Sequence, residues 1–238
     1  MVNPRQARRF AEATGKLAKT DRTDALLLAR FGALLDPRAQ SERTVAQARL
    51  AELVAARRSL LRDRTATLNR MPRLTVELLK RHARHRLRQI EAQLNSVDAA
   101  ISDLVAGDPT LARRLTILAS IPGLGKITAY ALLADMPELG TMEARQAASL
   151  AGLAPITRQS GRWCGKSSIR GGRAQIRRAL YMPALVAIRF NPPLKACYDG
   201  LITRGKHAKL AIAAVMRRLL LLANALLRED RIWTANCP

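Results

Sequence analysis

The chain has 238 residues, 48% of them hydrophobic, so it is long enough to bury one large core or two modest ones. Its 41 lysines and arginines against 18 aspartates and glutamates give a formal net charge of +23, which needs a polyanionic partner: nucleic acid first, an anionic membrane surface second. Only 3% of the residues are aromatic, which argues against β-sandwich cores and base-stacking platforms, so we expect a mainly α protein.

The first predicted elements are two short helices. A helix over residues 5–14 ends at Gly15. A second helix begins at Thr20 or Asp21, either of which can cap it, and ends at Gly32.

Two carboxylates share one face of the second helix, because Asp21 and Asp24 stand three residues apart. In one interpretation Asp21 is the N-cap and Asp24 is its capping-box partner, and the helix dipole favours both. In the other, the pair binds Mg²⁺, which prefers hard oxygen ligands and is often held by one or two carboxylates together with phosphate. The spacing alone leaves both interpretations open.

Two long helices are predicted next. Residues 41–69 form a charged helix, and a second helix follows from residue 76. In the second, apolar residues alternate spacings of three and four, as in a heptad stripe, at Leu87, Ile90, Leu94, Val97, Ile101 and Leu104. The pattern fits either an antiparallel hairpin within one chain or an intermolecular coiled coil. His82 and His85 are interpreted as part of a solvated basic face.

Residues 107–109, Gly-Asp-Pro, predict a domain boundary. After it, a helix, a Pro-Gly-Leu-Gly turn and a second helix resemble a helix-hairpin-helix. Gly123 and Gly125 would expose backbone N–H groups that hold a phosphate, and Lys126 would add a positive charge. A plain helical corner is the alternative.

A long basic stretch follows, since residues 144–196 contain no aspartate or glutamate. Its glycines allow tight turns and its serines and arginines suit phosphate, so we predict a DNA-binding loop. The predicted DNA ligands in this stretch are Arg158, Arg162, Lys166, Arg170, Arg173, Arg177 and Arg178.

Helices over residues 175–190, 194–203 and 206–228 are predicted to close the core. The apolar run 219–227 is about half a bilayer span, so we interpret it as a core helix and expect no membrane partner. The N-terminus has no apolar signal segment, which favours a cytoplasmic location.

Three passages occur in order along the chain: AKTDRTDA, IPGLGKITA, and GLAPITRQSG followed by IRGGRAQIRRALYMPA. Together they resemble the transposases of the insertion-sequence 110 group, also called DEDD transposases, over nearly the whole chain. AKTDRTDA is similar to the end of their RuvC-like nuclease domain, in which Asp21 and Asp24 match the last two of four metal-binding acids. GLAPITRQSG is similar to their C-terminal transposase domain, in which Ser160 matches a serine nucleophile.

The resemblance implies site-specific DNA strand exchange, with Mg²⁺ in the nuclease-like domain and a transient phosphoserine link between Ser160 and DNA. It also implies a homo-oligomer, with the long helices as a dimer contact, and a structured guide RNA. The family's first Asp and its Glu precede the Val-Asn-Pro segment, so we expect this to be an N-terminally truncated copy that lacks half of the metal site.

Three domains are expected on this basis. Residues 1–36 would be the C-terminal remnant of the RuvC-like α/β domain, 37–108 the helical hairpin or coiled coil, and 109–238 the helical transposase domain. The alternative function is a non-catalytic DNA- or RNA-binding remnant that keeps the basic loop and has lost the chemistry. A basic structural RNA-binding protein would explain the charge but has no use for Asp21, Asp24 and Ser160 together.

Overall fold

The computed structural model describes residues 4–15, 20–35, 43–157, 159–160, 163–165 and 167–234. This part of the chain is mainly helical, which confirms the predicted class. Its helices are α1 (Pro4–Ala13), α2 (Asp21–Leu35), α3 (Val45–Arg70), α4 (Glu77–Ala106), α5 (Pro109–Ala119), α6 (Lys126–Asp135), α7 (Ala144–Leu150), α8 (Ala174–Phe190), α9 (Pro192–Thr203) and α10 (Ala208–Arg228). Its strands are β1 (Pro155–Ile156), β2 (Gln159–Ser160), β3 (Trp163–Cys164) and β4 (Ser168–Ile169).

The chain divides into two compact units, residues 1–43 and 44–238. In the first unit, α1 packs on α2 through an edge-to-face pair of Phe10 and Phe31, whose ring centroids are 5.4 Å apart. The prediction that α2 ends at Gly32 is wrong, because the helix continues to Leu35. A glycine inside a helix costs only about 1 kcal/mol, which does not end a helix whose Phe31 is buried.

The second unit is organised around α10, which packs against α5, α7, α8 and α9. Its buried side chains include Leu219, Leu220, Ala223 and Leu226, as expected for a core helix. Among the described residues, α10 is the one helix long and apolar enough to cross a membrane, and half of its most apolar 18-residue stretch is buried within the unit. The core helix of a globular protein can have the same length and composition.

Helices α3 and α4 pack against each other within the chain. Arg57 of α3 donates to Asp98 of α4, with Nε and Oδ1 2.5 Å apart, and Arg64 lies 3.4 Å from Glu91. Residue numbers that rise on one helix therefore fall on the other, so the two helices are antiparallel. A short 3-10 turn, Met71–Arg73, lies between them.

The Gly-Asp-Pro sequence at 107–109 lies inside the second unit, where it joins α4 to α5. Asp108 caps α5, because its Oδ1 accepts hydrogen bonds from the backbone N–H groups of Thr110 and Leu111 at 2.9 and 3.0 Å. These residues therefore have a local structural role, and the proposed division into 1–36, 37–108 and 109–238 stays a prediction.

Candidate nucleic-acid interface

The Pro-Gly-Leu-Gly turn connects α5 to α6. Gly123 has a φ of +96°, and a Cβ there would lie 2.8 Å from the Cβ of Ala187 in α8, so close packing alone requires this glycine. Gly125 is the N-cap of α6; it is exposed, and the space around its Cα is open. Lys126 is also exposed. The part of the turn that a phosphate can approach is therefore Gly125 and Lys126.

The predicted basic loop is a narrow β-ribbon built from two antiparallel pairs. In the outer pair, Ile156 of β1 lies opposite Ser168 of β4. In the inner pair, Ser160 of β2 lies opposite Trp163 of β3. Ser160 is exposed, so its hydroxyl is accessible to a large ligand. The loop prediction missed these strands because each has only two residues.

A glycine clasp formed by Gly152, Gly171 and Gly172 holds the base of the ribbon. All three have positive φ, and the N–H of Arg173 donates to the carbonyl oxygen of Leu150 at 2.8 Å. A Cβ on Gly172 would lie 2.6 Å from that same oxygen. The clasp brings together the beginning and the end of the motif that the sequence analysis singled out.

Arg173 and Arg177 were both predicted to contact DNA, and both also donate hydrogen bonds within the protein. Arg173 donates to both carboxylate oxygens of Glu138 at 2.7 and 2.8 Å and to the carbonyl oxygen of Asp135 at 2.7 Å. The Glu138 hydrogen bond raises the pKa of Arg173 above its ordinary value, although partial burial acts in the opposite direction. Arg177 donates to the carbonyl oxygens of Gly171 and Ala151.

These two arginines therefore fix the clasp, and sequence analysis missed their role because the partners are distant in the chain or are backbone atoms. A local count of charges cannot separate an internally paired arginine from a free one. The DNA contacts of Arg173 and Arg177 stay predictions.

The remaining predicted DNA ligands are Arg170 and Arg178, which are exposed, and Arg158, Arg162 and Lys166, which lie outside the described residues. Arg178 lines a groove of about 710 Å³ between α3, α6 and α8. The same groove contains Ile127 from the first turn of α6 and Arg62 from α3. The fold thus brings Ile127, the residue after Lys126, and Arg178 to one groove and adds Arg62, which the sequence analysis did not single out.

Asp21 and Asp24 lie in the first turn of α2, in the other unit. The cap of this helix is formed by two threonines: the N–H of Thr20 donates to Thr23 Oγ1 at 3.0 Å, and the N–H of Thr23 donates to Thr20 Oγ1 at 3.2 Å. The interpretation of Asp21 and Asp24 as a capping box is therefore wrong. Asp21 is exposed and Asp24 is half-buried.

The two carboxylates do not form a complete metal site by themselves. The described part of the chain contains no group of three or more His, Cys, Asp or Glu side chains that could hold a metal ion. Mg²⁺ binds six ligands and loses its water reluctantly, so a pair of carboxylates on one helix turn is a partial ligand set.

Two transposase families match the chain. One, described as "Transposase", matches residues 1–80, and one described as "Transposase IS116/IS110/IS902 family" matches residues 115–199. The second match contains the Pro-Gly-Leu-Gly turn, the ribbon, the clasp and all of α8.

Proteins from other bacteria are similar to the chain. The pilin gene-inverting protein of Moraxella bovis is 33% identical over 239 residues, which cover 97% of this chain and 73% of that protein. The corresponding protein of Moraxella lacunata has the same identity and coverage. An uncharacterized 43.6 kDa protein of insertion element IS110 from Streptomyces coelicolor is 31% identical over 155 residues, which cover 64% of this chain and 37% of that protein.

Proposed function

The chain belongs to the IS116/IS110/IS902 family of transposases, and from this premise we propose that Ser160 attacks a DNA phosphodiester during recombination. The family acts in DNA transposition, so the chain is an enzyme of DNA strand transfer. The observation that carries the proposal is the exposed position of Ser160 on a ribbon held by the glycine clasp.

The surroundings of Ser160 support this role in two ways. A phosphodiester repels other anions, and the absence of acidic residues between 144 and 196 leaves the ribbon with positive charge only. The clasp and the internally bonded Arg173 hold the base of the ribbon, so the serine belongs to a segment whose root is fixed.

The proposed step is a transesterification. Ser160 Oγ forms a bond to phosphorus, and the bond from phosphorus to one deoxyribose oxygen breaks. The serine proton is transferred to that oxygen, which leaves as a hydroxyl group. One phosphoester replaces another, so the linkage stores the energy for religation to a different DNA end.

DNA positioning is assigned to Gly125, Lys126, Arg170 and Arg178, with Arg158, Arg162 and Lys166 as further ligands that lie outside the described residues. Their chemistry suits phosphate oxygens rather than base edges, so binding of duplex DNA without another specificity factor should depend little on sequence.

We expect binding of duplex DNA to be strongly salt-dependent, with affinity falling on the order of a thousandfold between 50 and 200 mM salt. The double variant Arg170→Gln and Arg178→Gln should lower the slope of log affinity against log salt by about 2, because each phosphate contact contributes about 0.9. Fluorescence anisotropy with a labelled duplex measures both quantities.

The control is the double variant Arg113→Gln and Arg204→Gln, which removes the same charge from two exposed arginines elsewhere in the unit. It should leave the slope nearly unchanged. Salt-independent binding by the parent protein, or equal losses in the two double variants, would contradict the assignment.

Transposases of this kind typically use a divalent metal. We propose that Asp21 and Asp24 contribute two ligands to a larger set, because they share a helix face and neither carries the cap. We expect calorimetric titration to detect weak Mg²⁺ binding that the double variant Asp21→Asn and Asp24→Asn loses. Identical titration curves for the parent and the variant would remove both residues from the site.

Two partners are proposed on the family resemblance: a second copy of the chain and a structured guide RNA. Light scattering of the purified protein, with and without RNA from the same element, measures both. A single-chain mass under both conditions would contradict the homo-oligomer and the RNA complex together.

The product can also be proposed. The relatives that cover 97% of this chain are named for inversion of a pilin gene. By that similarity, we propose that strand exchange between two sites on one DNA molecule inverts the segment between them. A plasmid with two oppositely oriented sites would show a changed restriction pattern, and an unchanged pattern together with active excision would limit the function to transposition.

A further inference from the structure

The first half of α4 carries a dense basic segment that the proposed function does not use. Between residues 80 and 88 the chain has five lysines or arginines and two histidines, and residues 78–90 contain no acid. The arginines and histidines of this segment are exposed: Arg81, His82, Arg84, His85, Arg86 and Arg88. We call residues 80–88 the basic segment of α4.

Pairing with acids neutralises only part of this charge. Glu77 lies 3.8 Å from Lys80 and 2.9 Å from Arg84, measured between the charged atoms. No ion pair joins Arg81, Arg86 or Arg88 to an acid within the part of the chain that the structure describes. These three arginines therefore keep their full charge for an external partner.

A shallow groove of about 630 Å³ runs along this segment between α3 and α4. Its lining contains the three unpaired arginines and both histidines of the segment, with Asp63 of α3 as the one acid. Arg81, His85 and Arg88 are spaced by four and three residues, so they follow one face of the helix and span about 10 Å.

The basic segment lies away from the main core of its unit. The core residues of α3 end at Val54, and the core residues of α4 begin at Val97. Farther toward the turn at Met71–Arg73, the buried side chains Thr67, Ile90 and Leu94 belong to α3 and α4 alone. The basic segment therefore forms a surface of the helix pair, and the groove along it shares no lining residue with the groove that contains Ile127 and Arg178.

We propose that the basic segment of α4 is a second binding surface for double-stranded DNA, which contacts the phosphate backbone through Arg81, Arg86 and Arg88. Residues 44–106 contain no Phe, Tyr or Trp, so this surface offers no stacking platform for the unpaired bases of a single strand. Exposed arginines and histidines along one helix suit the regularly spaced phosphates of a duplex.

This surface is additional to the residues assigned to the attack by Ser160. It rests on the proposed function only because both require that the protein acts on DNA. Recombination brings two DNA segments to one protein, and a surface distinct from the ribbon would hold a second segment or the flank of the first. Loss of this surface should weaken DNA binding without preventing attack by Ser160 on a short substrate.

The test compares two triple variants of the full chain. The first changes Arg81, Arg86 and Arg88 to Gln, a good helix former that keeps the side-chain length similar. The second, the matched control, changes the exposed Lys195, Lys206 and Lys209 to Gln and removes the same charge. Circular dichroism checks that both variants keep the parent's helix content.

With a labelled 30-base-pair duplex at 100 mM salt, the first variant should lose about tenfold or more in affinity, and its salt slope should fall by two to three. The control should lose less than about threefold. Equal losses of affinity in the two variants would mean that only the net charge of the protein matters for DNA binding, and this would overturn the proposal. An unchanged affinity of the first variant would overturn it too, and would leave the assignment of Ser160 and the ribbon intact.

Two competitors decide the nature of the partner. Unlabelled duplex DNA should displace the probe from the parent protein more effectively than single-stranded DNA or duplex RNA of the same length. Preferential displacement by duplex RNA would overturn the choice of DNA. The alternative is that the protein binds vesicles that contain anionic lipids. If the first variant loses this binding while its affinity for DNA is unchanged, the surface is a membrane-binding surface and the proposal is overturned.

Discussion

We expect Ser160→Ala to abolish the covalent protein–DNA adduct and to lower strand transfer by on the order of 10⁴-fold or more, because no other atom can form the same phosphoester. The affinity for duplex DNA should change by less than about twofold, since Ser160 is neutral and contributes no phosphate charge pairing. The adduct is trapped on a nicked substrate from which the released strand diffuses away, and it is then separated on a denaturing gel.

Ser167 and Ser168 are the matched controls, since both are exposed serines of the same ribbon region. Ser168 lies in β4, opposite Ile156, so it belongs to the outer pair rather than to the inner pair that holds Ser160. Ser167→Ala and Ser168→Ala should keep the adduct. An adduct that survives Ser160→Ala would reject the nucleophile, and loss in all three variants would point to ribbon geometry instead.

The same experiment separates catalysis from simple binding. A non-catalytic remnant would bind DNA with the expected salt dependence and give no adduct with any variant or with the parent protein. A parent protein that forms adducts, with loss confined to Ser160→Ala, excludes that alternative.

The helices could be predicted from the sequence because their apolar residues repeat over several turns. Ile90, Leu94 and Ile101 of the predicted heptad stripe are all buried in α4. A strong repeat of this kind fixes both the helix and its buried face, since one side of each turn must leave water. The pairing of α3 with α4 within one chain is shown by the Arg57–Asp98 and Arg64–Glu91 ion pairs, which connect distant parts of the sequence, and an intermolecular coiled coil stays a prediction.

The site could be predicted less completely, because its geometry depends on long-range contacts. Arg170 and Arg173 are equivalent in the sequence, as both flank the same pair of glycines. The fold places Glu138 and the Asp135 carbonyl next to Arg173, whereas Arg170 is exposed. Nothing within a few residues of either arginine distinguishes them. Only the packing of α6 and α8 shows that Arg173 bonds inside the protein and that Arg170 lies on the surface.

The two adjacent glycines of the clasp should respond very differently to the same substitution. Gly171→Ala should cost about 1 to 2 kcal/mol, because the residue has a φ of +73° but the space around its Cα is open. Gly172→Ala should cost about 3 kcal/mol or more, since its φ of +58° adds the same backbone strain to a steric clash. Urea unfolding, compared at constant m value, measures both.

The clash at Gly172 cannot be relieved by rotating a side chain. An added Cβ would lie 2.6 Å from the carbonyl oxygen of Leu150 and 2.7 Å from the Cα of Gly152, and these are backbone atoms at the base of the ribbon. The ribbon base must therefore open, which would break the 2.8 Å hydrogen bond from Arg173 to Leu150 and displace Ser160. We expect Gly172→Ala to lose adduct formation even at temperatures where the rest of the unit stays folded, whereas Gly171→Ala keeps most of it. Equal stability losses at the two positions would show that the clasp is not what positions the serine.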